Sequence, residues 1–246
     1  MRSRRPKQHT FHDYRMRSGR GGPRKGAGRK PAARPRVHHV GREHFSDLRA
    51  GHVTLRVIEA MPSLRCKAFV EEIRRSFAEA CERDDFRLIH YSVLENHLHL
   101  LVEAEGSDAL GRGMKSLSCR VARAANRVFE RSGRVLDGRY YLHLLETIAE
   151  AWNALRYVLL NARKHFRQRF GRTPPAGIDW ASSGHCFEGW AGDVSGIRDG
   201  PFPVERQAER QAEREGERAV ARPKTWLLRE GWKRRGPIDP AAVPGF

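Results

Sequence analysis

The chain has 246 residues, room for one sizeable core with appendages or at most two small domains, and its 47 Lys/Arg against 29 Asp/Glu leave a formal charge of +18. A charge of that size opposes compaction by self-repulsion, so an anionic polymer is the expected partner. No segment has a secretory apolar core or approaches the length of a membrane span, and the four cysteines form no CxxC pair. We therefore expect no membrane, a cytoplasmic and nucleoid-associated location, and reduced thiols that serve as small buried apolar groups.

Residues 1–50 hold fifteen Lys/Arg and three acids, a net +12, and are read as a basic, largely disordered arm. Within it lie the candidate DNA-contacting residues Arg20, Arg24, Lys25, Arg29 and Lys30. The GRKP at 28–31 is similar to the core of minor-groove arms, and a sequence-independent phosphate-binding tail fits the same charges.

Order is expected from about residue 51. The stretch 52–60 (HVTLRVIEA) has strand composition, with Val53, Leu55 and Val57 on one face. A helix follows over 63–84, with Ser63 as its N-cap and Phe69, Val70, Ile73 and Phe77 as its apolar stripe. Strands at 86–95 and 97–104 leave room only for a tight turn, which makes them an antiparallel hairpin. A second helix spans 108–133, and its polar surface carries Arg112, Lys115, Arg120 and Arg123, either a solvated face or phosphate contacts. A fourth strand is expected over 134–146 and a third helix over 147–170, stopped by Gly171 and Pro174. This order defines an α+β, ferredoxin-like βαββαβ domain over 51–172 with an antiparallel sheet and an extra C-terminal helix. Residues 173–246 form a Gly/Pro/Trp-containing, basic extension, whose end either docks on the domain or contacts nucleic acid.

The chemistry concentrates in two places. His97 and His99 alternate with Leu98, so both imidazoles project from one strand face, as satisfied histidines or as metal ligands. On the third helix, Tyr157 and Asn161 stand one turn apart, and Asn161 carries a propensity cost inside an otherwise good helix. Spacing alone favours an edge tyrosine and an exposed asparagine. Glu103 shares the histidines' parity and reads as a solvent-facing strand end, while His90, Tyr91 and His143 read as ordinary strand positions. Lys164 and His165 are within reach of a DNA backbone. No Walker loop, Ser/His/Asp set or zinc-type Cys/His spacing competes.

The set NHLHLLVE (96–103), GRYYLHLLET (138–147) and LRYVLLNARKH (155–165) resembles the single-tyrosine HUH transposases of small bacterial insertion sequences. It is most similar to their relatives, the REP-associated tyrosine transposases, over about residues 50–170. The resemblance implies His97 and His99 as metal ligands, Asn161 completing the metal set, and Tyr157 as nucleophile. It implies Mg²⁺ or Mn²⁺, and two imidazoles with an amide lean towards Mn²⁺. The implied activity is nicking and rejoining of single-stranded, hairpin-forming DNA through a 5′-phosphotyrosine, by a monomer rather than the homodimer of insertion-sequence relatives. The alternative is a non-catalytic, domesticated DNA- or RNA-binding protein on the same fold.

Overall fold

The computed structural model describes residues 44–174, 177–192 and 219–245. The candidate DNA contacts Arg20, Arg24, Lys25, Arg29 and Lys30, and the charged stretch 205–218, lie outside the described residues. The elements run β1 (Leu48–Arg56), α1 (Lys67–Ala78), β2 (Phe86–Val93), β3 (His97–Glu105), α2 (Ser107–Val128), β4 (Tyr141–Leu145) and α3 (Ile148–Phe170). A 3₁₀ turn at Gly184–Cys186, a short α4 (Trp226–Arg229) and a 3₁₀ turn at Gly231–Arg235 follow. The strands form one antiparallel sheet in the order β2-β3-β1-β4, the ferredoxin-like arrangement.

Strand parity gives the sheet two different faces. Val53, Leu55, Leu98, Leu100 and Val102 point to one side and pack with Phe69, Ile73 and Phe77 of α1 and Met114, Leu117 and Val121 of α2. Each such fully buried side chain contributes roughly 1.5–3 kcal/mol. The approach is close: a Cβ on Gly113 of α2 would lie 2.2 Å from the Phe86 ring, so glycine is required there despite its low helix propensity. The other face carries the histidines and is covered over β2 and β3 by α3. A second core joins Ile89, Leu101, Leu155, Val158 and Leu159 to Phe187, Trp190, Leu228 and Trp232 of the extension. Coverage on both sides explains why every residue of β2 is buried.

Helix α3 begins and ends where local chemistry dictates. Thr147 and Glu150 form a reciprocal capping box, and Gly171 closes the helix in the left-handed region at φ 67°. Other expectations need correction. The first helix starts four residues after Ser63, with Cys66 at its N-cap, and the Ser63 hydroxyl instead accepts from Arg65 N in the preceding turn. The fourth strand is shorter than 134–146, because Gly138 turns the chain at φ 81° and leaves Leu136 only an isolated bridge to Val57. Of the cysteines only Cys81 is buried, and Cys119 is exposed on the outer surface of α2.

Glu103 is the largest correction. It is fully buried, because the extension folds over the strand end that was expected to face solvent. Its carboxylate accepts from Lys224 N (2.7 Å), Thr225 N (2.9 Å) and the Thr225 hydroxyl (2.6 Å), and so holds the first turn of α4 on β3. Arg163 of α3 adds a second tie, donating from Nε to Ala242 O (3.0 Å) and from Nη2 to Ala241 O (2.7 Å) and Pro174 O (3.0 Å). Removing the Glu103 acceptor would strand buried N–H groups at about 1–3 kcal/mol each. Glu103→Leu is therefore expected to lower stability by about 2–4 kcal/mol and to open residues 219–245 to protease. Thermal melts with limited proteolysis check this, and a melt matching the parent's within a degree would refute it.

Candidate active site

The site is built on the histidine face where β3 meets α3. The Nε2 atoms of His97 and His99 lie 3.1 Å apart. On the far side of each ring Nδ1 has a hydrogen-bond partner. His97 Nδ1 lies 2.7 Å from Asn96 Oδ1, an oxygen that can only accept, so Nδ1 carries the proton and Nε2 the lone pair. His99 Nδ1 lies 3.1 Å from Thr54 Oγ1 and 3.0 Å from His52 Nε2 of β1, and in the tautomer in which Nδ1 donates to one of them its Nε2 carries the lone pair as well.

Burial pushes the pKa of His99 down to about 2, with the neighbouring His52, His97, His165 and Lys164 charges adding to it. Burial likewise brings His97 and His52 down to about 4, reinforced by His165 and Arg56 for the first and His143 for the second. All three rings are neutral at pH 7. Two lone pairs facing at that separation repel unless a proton or cation lies between them, which suits a divalent metal.

Helix α3 supplies the opposing wall. The Tyr157 ring stands edge-on to His99, with centroids 5.0 Å apart, and to His52 at 5.7 Å. Two turns on, His165 meets His97 at 5.9 Å. Asn161 sits midway between Tyr157 and His165 on that side of the helix. It is fully buried, and neither its Oδ1 nor its Nδ2 has a hydrogen-bond partner. A buried amide left so costs about 1–3 kcal/mol per group, which the helix carries without any packing return. The orphaned oxygen fits a cation as third ligand. Lys164 places its ammonium 5.2 Å from the centre of the Tyr157 ring. Among the described residues no group of three His, Cys, Asp or Glu side chains is placed to hold a metal, so a cation here would draw on the two imidazoles and the Asn161 amide.

The structure thus brings Tyr157, His97, His99, Lys164 and His165 together, with Asn161 on the same helical face. It does not bring Arg112, Lys115, Arg120 or Arg123 there: they belong to α2, which packs on the opposite face of the sheet. Two of them are paired, Arg112 with Asp85 (2.6 Å) and Arg120 with Glu79 (2.9 Å). Sequence reasoning missed His52 and Thr54. Their signal lay in the polar parity of HVTLR, opposite the Val53 and Leu55 set.

Neighbouring His90 is also buried, beside Ser183 Oγ at 3.0 Å, and burial, with His185 nearby, lowers its pKa to about 3. Its unfolded value is about 6.5, so between pH 6.5 and 3 the unfolded chain binds the extra proton. The stability from keeping His90 neutral is fully present above pH 6.5 and is lost as pH falls towards 3, at up to about 1.4 kcal/mol per pH unit. His90→Gln is expected to flatten the fall of the thermal midpoint with acid in this window; an unchanged slope would count against it.

The site so defined is a ferredoxin-like α+β sheet that presents two imidazoles to a tyrosine-bearing helix. Residues 50–153 match the family model described as "Transposase IS200 like", which this part of the chain is similar to. The match stops short of Tyr157 and Asn161, so their placement rests on the geometry above. A solved structure described as a REP-associated tyrosine transposase bound to a REP hairpin is similar over 67% of this chain and 98% of its own, at 18% identity and a TM-score of 0.48. No curated protein matches.

Proposed function

We propose that the protein is a divalent-metal-dependent endonuclease and strand transferase of single-stranded DNA, with Tyr157 as nucleophile. One observation carries this reading: the Nε2 atoms of His97 and His99 stand 3.1 Å apart beside the Tyr157 helix, whose Asn161 amide is buried and unpartnered. His97 Nε2, His99 Nε2 and Asn161 Oδ1 would hold Mg²⁺ or Mn²⁺. Bound there, the metal supplies Lewis-acid polarisation of the scissile phosphate.

Tyr157 supplies the attacking oxygen. The new bond joins its phenolic oxygen to the phosphorus and the P–O3′ bond breaks, leaving a 5′-phosphotyrosine and a free 3′-OH. The phenol loses its proton to solvent at its half-exposed ring, and the departing 3′-oxygen takes one up. Attack by a 3′-OH on the phosphotyrosine reverses the step, joins strands and regenerates Tyr157 without ATP. Lys164 places its ammonium beside the Tyr157 ring. Asn96 holds His97 in the tautomer that leaves its Nε2 free, and Thr54 and His52 position the His99 ring through its Nδ1.

The proposed substrate is hairpin-forming, REP-like DNA, on the motif set shared with that group and on the charge of the chain. Arg20, Arg24, Lys25, Arg29 and Lys30 would add backbone contacts, with strong salt dependence. We propose a monomer acting in the cytoplasm; among the described residues no helix is long and apolar enough to cross a membrane. Hairpin oligonucleotides with single-stranded flanks test the reading. Cleavage in Mn²⁺ or Mg²⁺ that stops in excess EDTA is expected. Binding that persists in EDTA without cleavage under any metal would overturn it in favour of a non-catalytic binding protein.

A further inference from the structure

Helix α3 covers the histidine face over β2 and β3 and reaches Ala50 of β1 and Leu145 of β4, while Arg56, Tyr141 and His143 towards the other end of the β1–β4 half stay exposed. On β1, His52 and Thr54 are half-exposed and Arg56 is exposed, whereas Val53 and Leu55 on the opposite face are buried. Register places Thr54 between His99 of β3 and Tyr141 of β4, so these three side chains form one row on one face. Two strand spacings put Tyr141 about 10 Å from His99. Tyr141 is 67% exposed, the most exposed large apolar side chain among the described residues. The other exposed aromatics are occupied: the Arg234 guanidinium caps Trp226 at 5.0 Å, and Phe170 stacks on Phe166 at 4.6 Å. His143, next along β4, lies 3.6 Å from Glu150. Arg56 lies in the adjacent row beside His97.

The floor therefore offers a bare aromatic ring and a guanidinium, against a wall formed by the Tyr157 helix. We infer that this exposed end of the β1–β4 half is the platform for the unpaired nucleotides flanking the scissile phosphate, with one base stacked on Tyr141 and a phosphate at Arg56. An aromatic face accepts any base, and the guanidinium fixes the backbone, which is the chemistry of single-strand binding. A duplex would not present an open base face to Tyr141. This inference rests on the reading of single-stranded DNA as substrate, but it concerns binding and not bond cleavage.

The test uses the full chain carrying Tyr157→Phe, so that no chemistry intervenes, and a fluorescent 20-mer of dT with one 5-iododeoxyuridine. Near-ultraviolet cross-linking is expected to label the peptide containing Tyr141. Tyr141→Thr, which keeps strand propensity, should weaken binding by about 5- to 100-fold, and Tyr141→Trp should restore it. Cross-links that avoid Tyr141, Tyr141→Thr affinity equal to the parent's, no rescue by Trp, or an effect on self-association through the β4 edge instead of on DNA affinity would each overturn the platform. Cleavage by the chain with Tyr157 intact is measured separately: its absence, with the Tyr141 effect intact, would reject the endonuclease reading and leave the platform standing.

Discussion

Tyr157→Phe is expected to abolish DNA cleavage and adduct formation, a loss of about 10⁴-fold or more, while leaving DNA affinity within a few-fold of the parent. The substitution removes one oxygen. The Tyr157 ring is only partly buried, and its contacts with His99 and His52 are ring contacts that phenylalanine reproduces. Thermal stability should therefore stay within about 1 kcal/mol, so lost activity cannot be charged to unfolding. Gel analysis of a labelled hairpin, beside a binding titration of the same preparation, checks both halves. Retained cleavage in the Phe variant would mean that water or another residue performs the attack.

His99→Ala is the second large effect, because His99 is the hub of the site. It contacts His97, His52 and Thr54 and carries the Tyr157 ring on its edge. Its loss removes one proposed ligand and leaves His52 and Thr54 without their shared partner. Mn²⁺ binding, followed by calorimetry, is expected to fall by at least about 10²-fold, and cleavage by about 10²- to 10³-fold. Removing a neutral imidazole whose pKa is pushed down to about 2 also removes an acid-sensitive group, so stability near pH 5 should rise relative to pH 7 when compared with the parent. An unchanged Mn²⁺ isotherm would remove His99 from the ligand set.

Much of this was readable in the sequence, because the decisive signals are local. The order of alternating and helical stretches gave the ferredoxin-like sheet, and Gly171 marked the end of α3. The parity of NHLHLLVE put both imidazoles on one face, and the propensity cost of Asn161 pointed at a side chain with a task. What escaped is tertiary. Glu103 looked like an exposed strand end because its partners, Lys224 and Thr225, are more than a hundred residues away in the chain. His52 and Thr54 belong to the site only once β1 is known to pair between β3 and β4. Ser63 failed as a cap because the turn before α1 uses its hydroxyl for Arg65 N. The α2 cations were plausible DNA contacts by charge, yet the layer order puts the whole sheet between them and Tyr157.

The extension also changes how the site is supported. Trp152 and Arg156 precede Tyr157 on α3 and donate to Gly236 O (3.1 Å) and Val243 O (2.9 Å). Together with Arg163 they fix the helix from its outer side, so the described part of the extension holds the Tyr157 helix against the histidines. A rigid support of this kind is what positions a reacting group to within fractions of an ångström.

The most direct measurement is mass spectrometry of the chain after incubation with a hairpin oligonucleotide and Mn²⁺. The account predicts one covalent adduct with the mass of a 5′-phosphorylated DNA fragment, localised by peptide sequencing to Tyr157 and absent in EDTA. An adduct on any other residue, or efficient cleavage with no protein–DNA adduct, would contradict it.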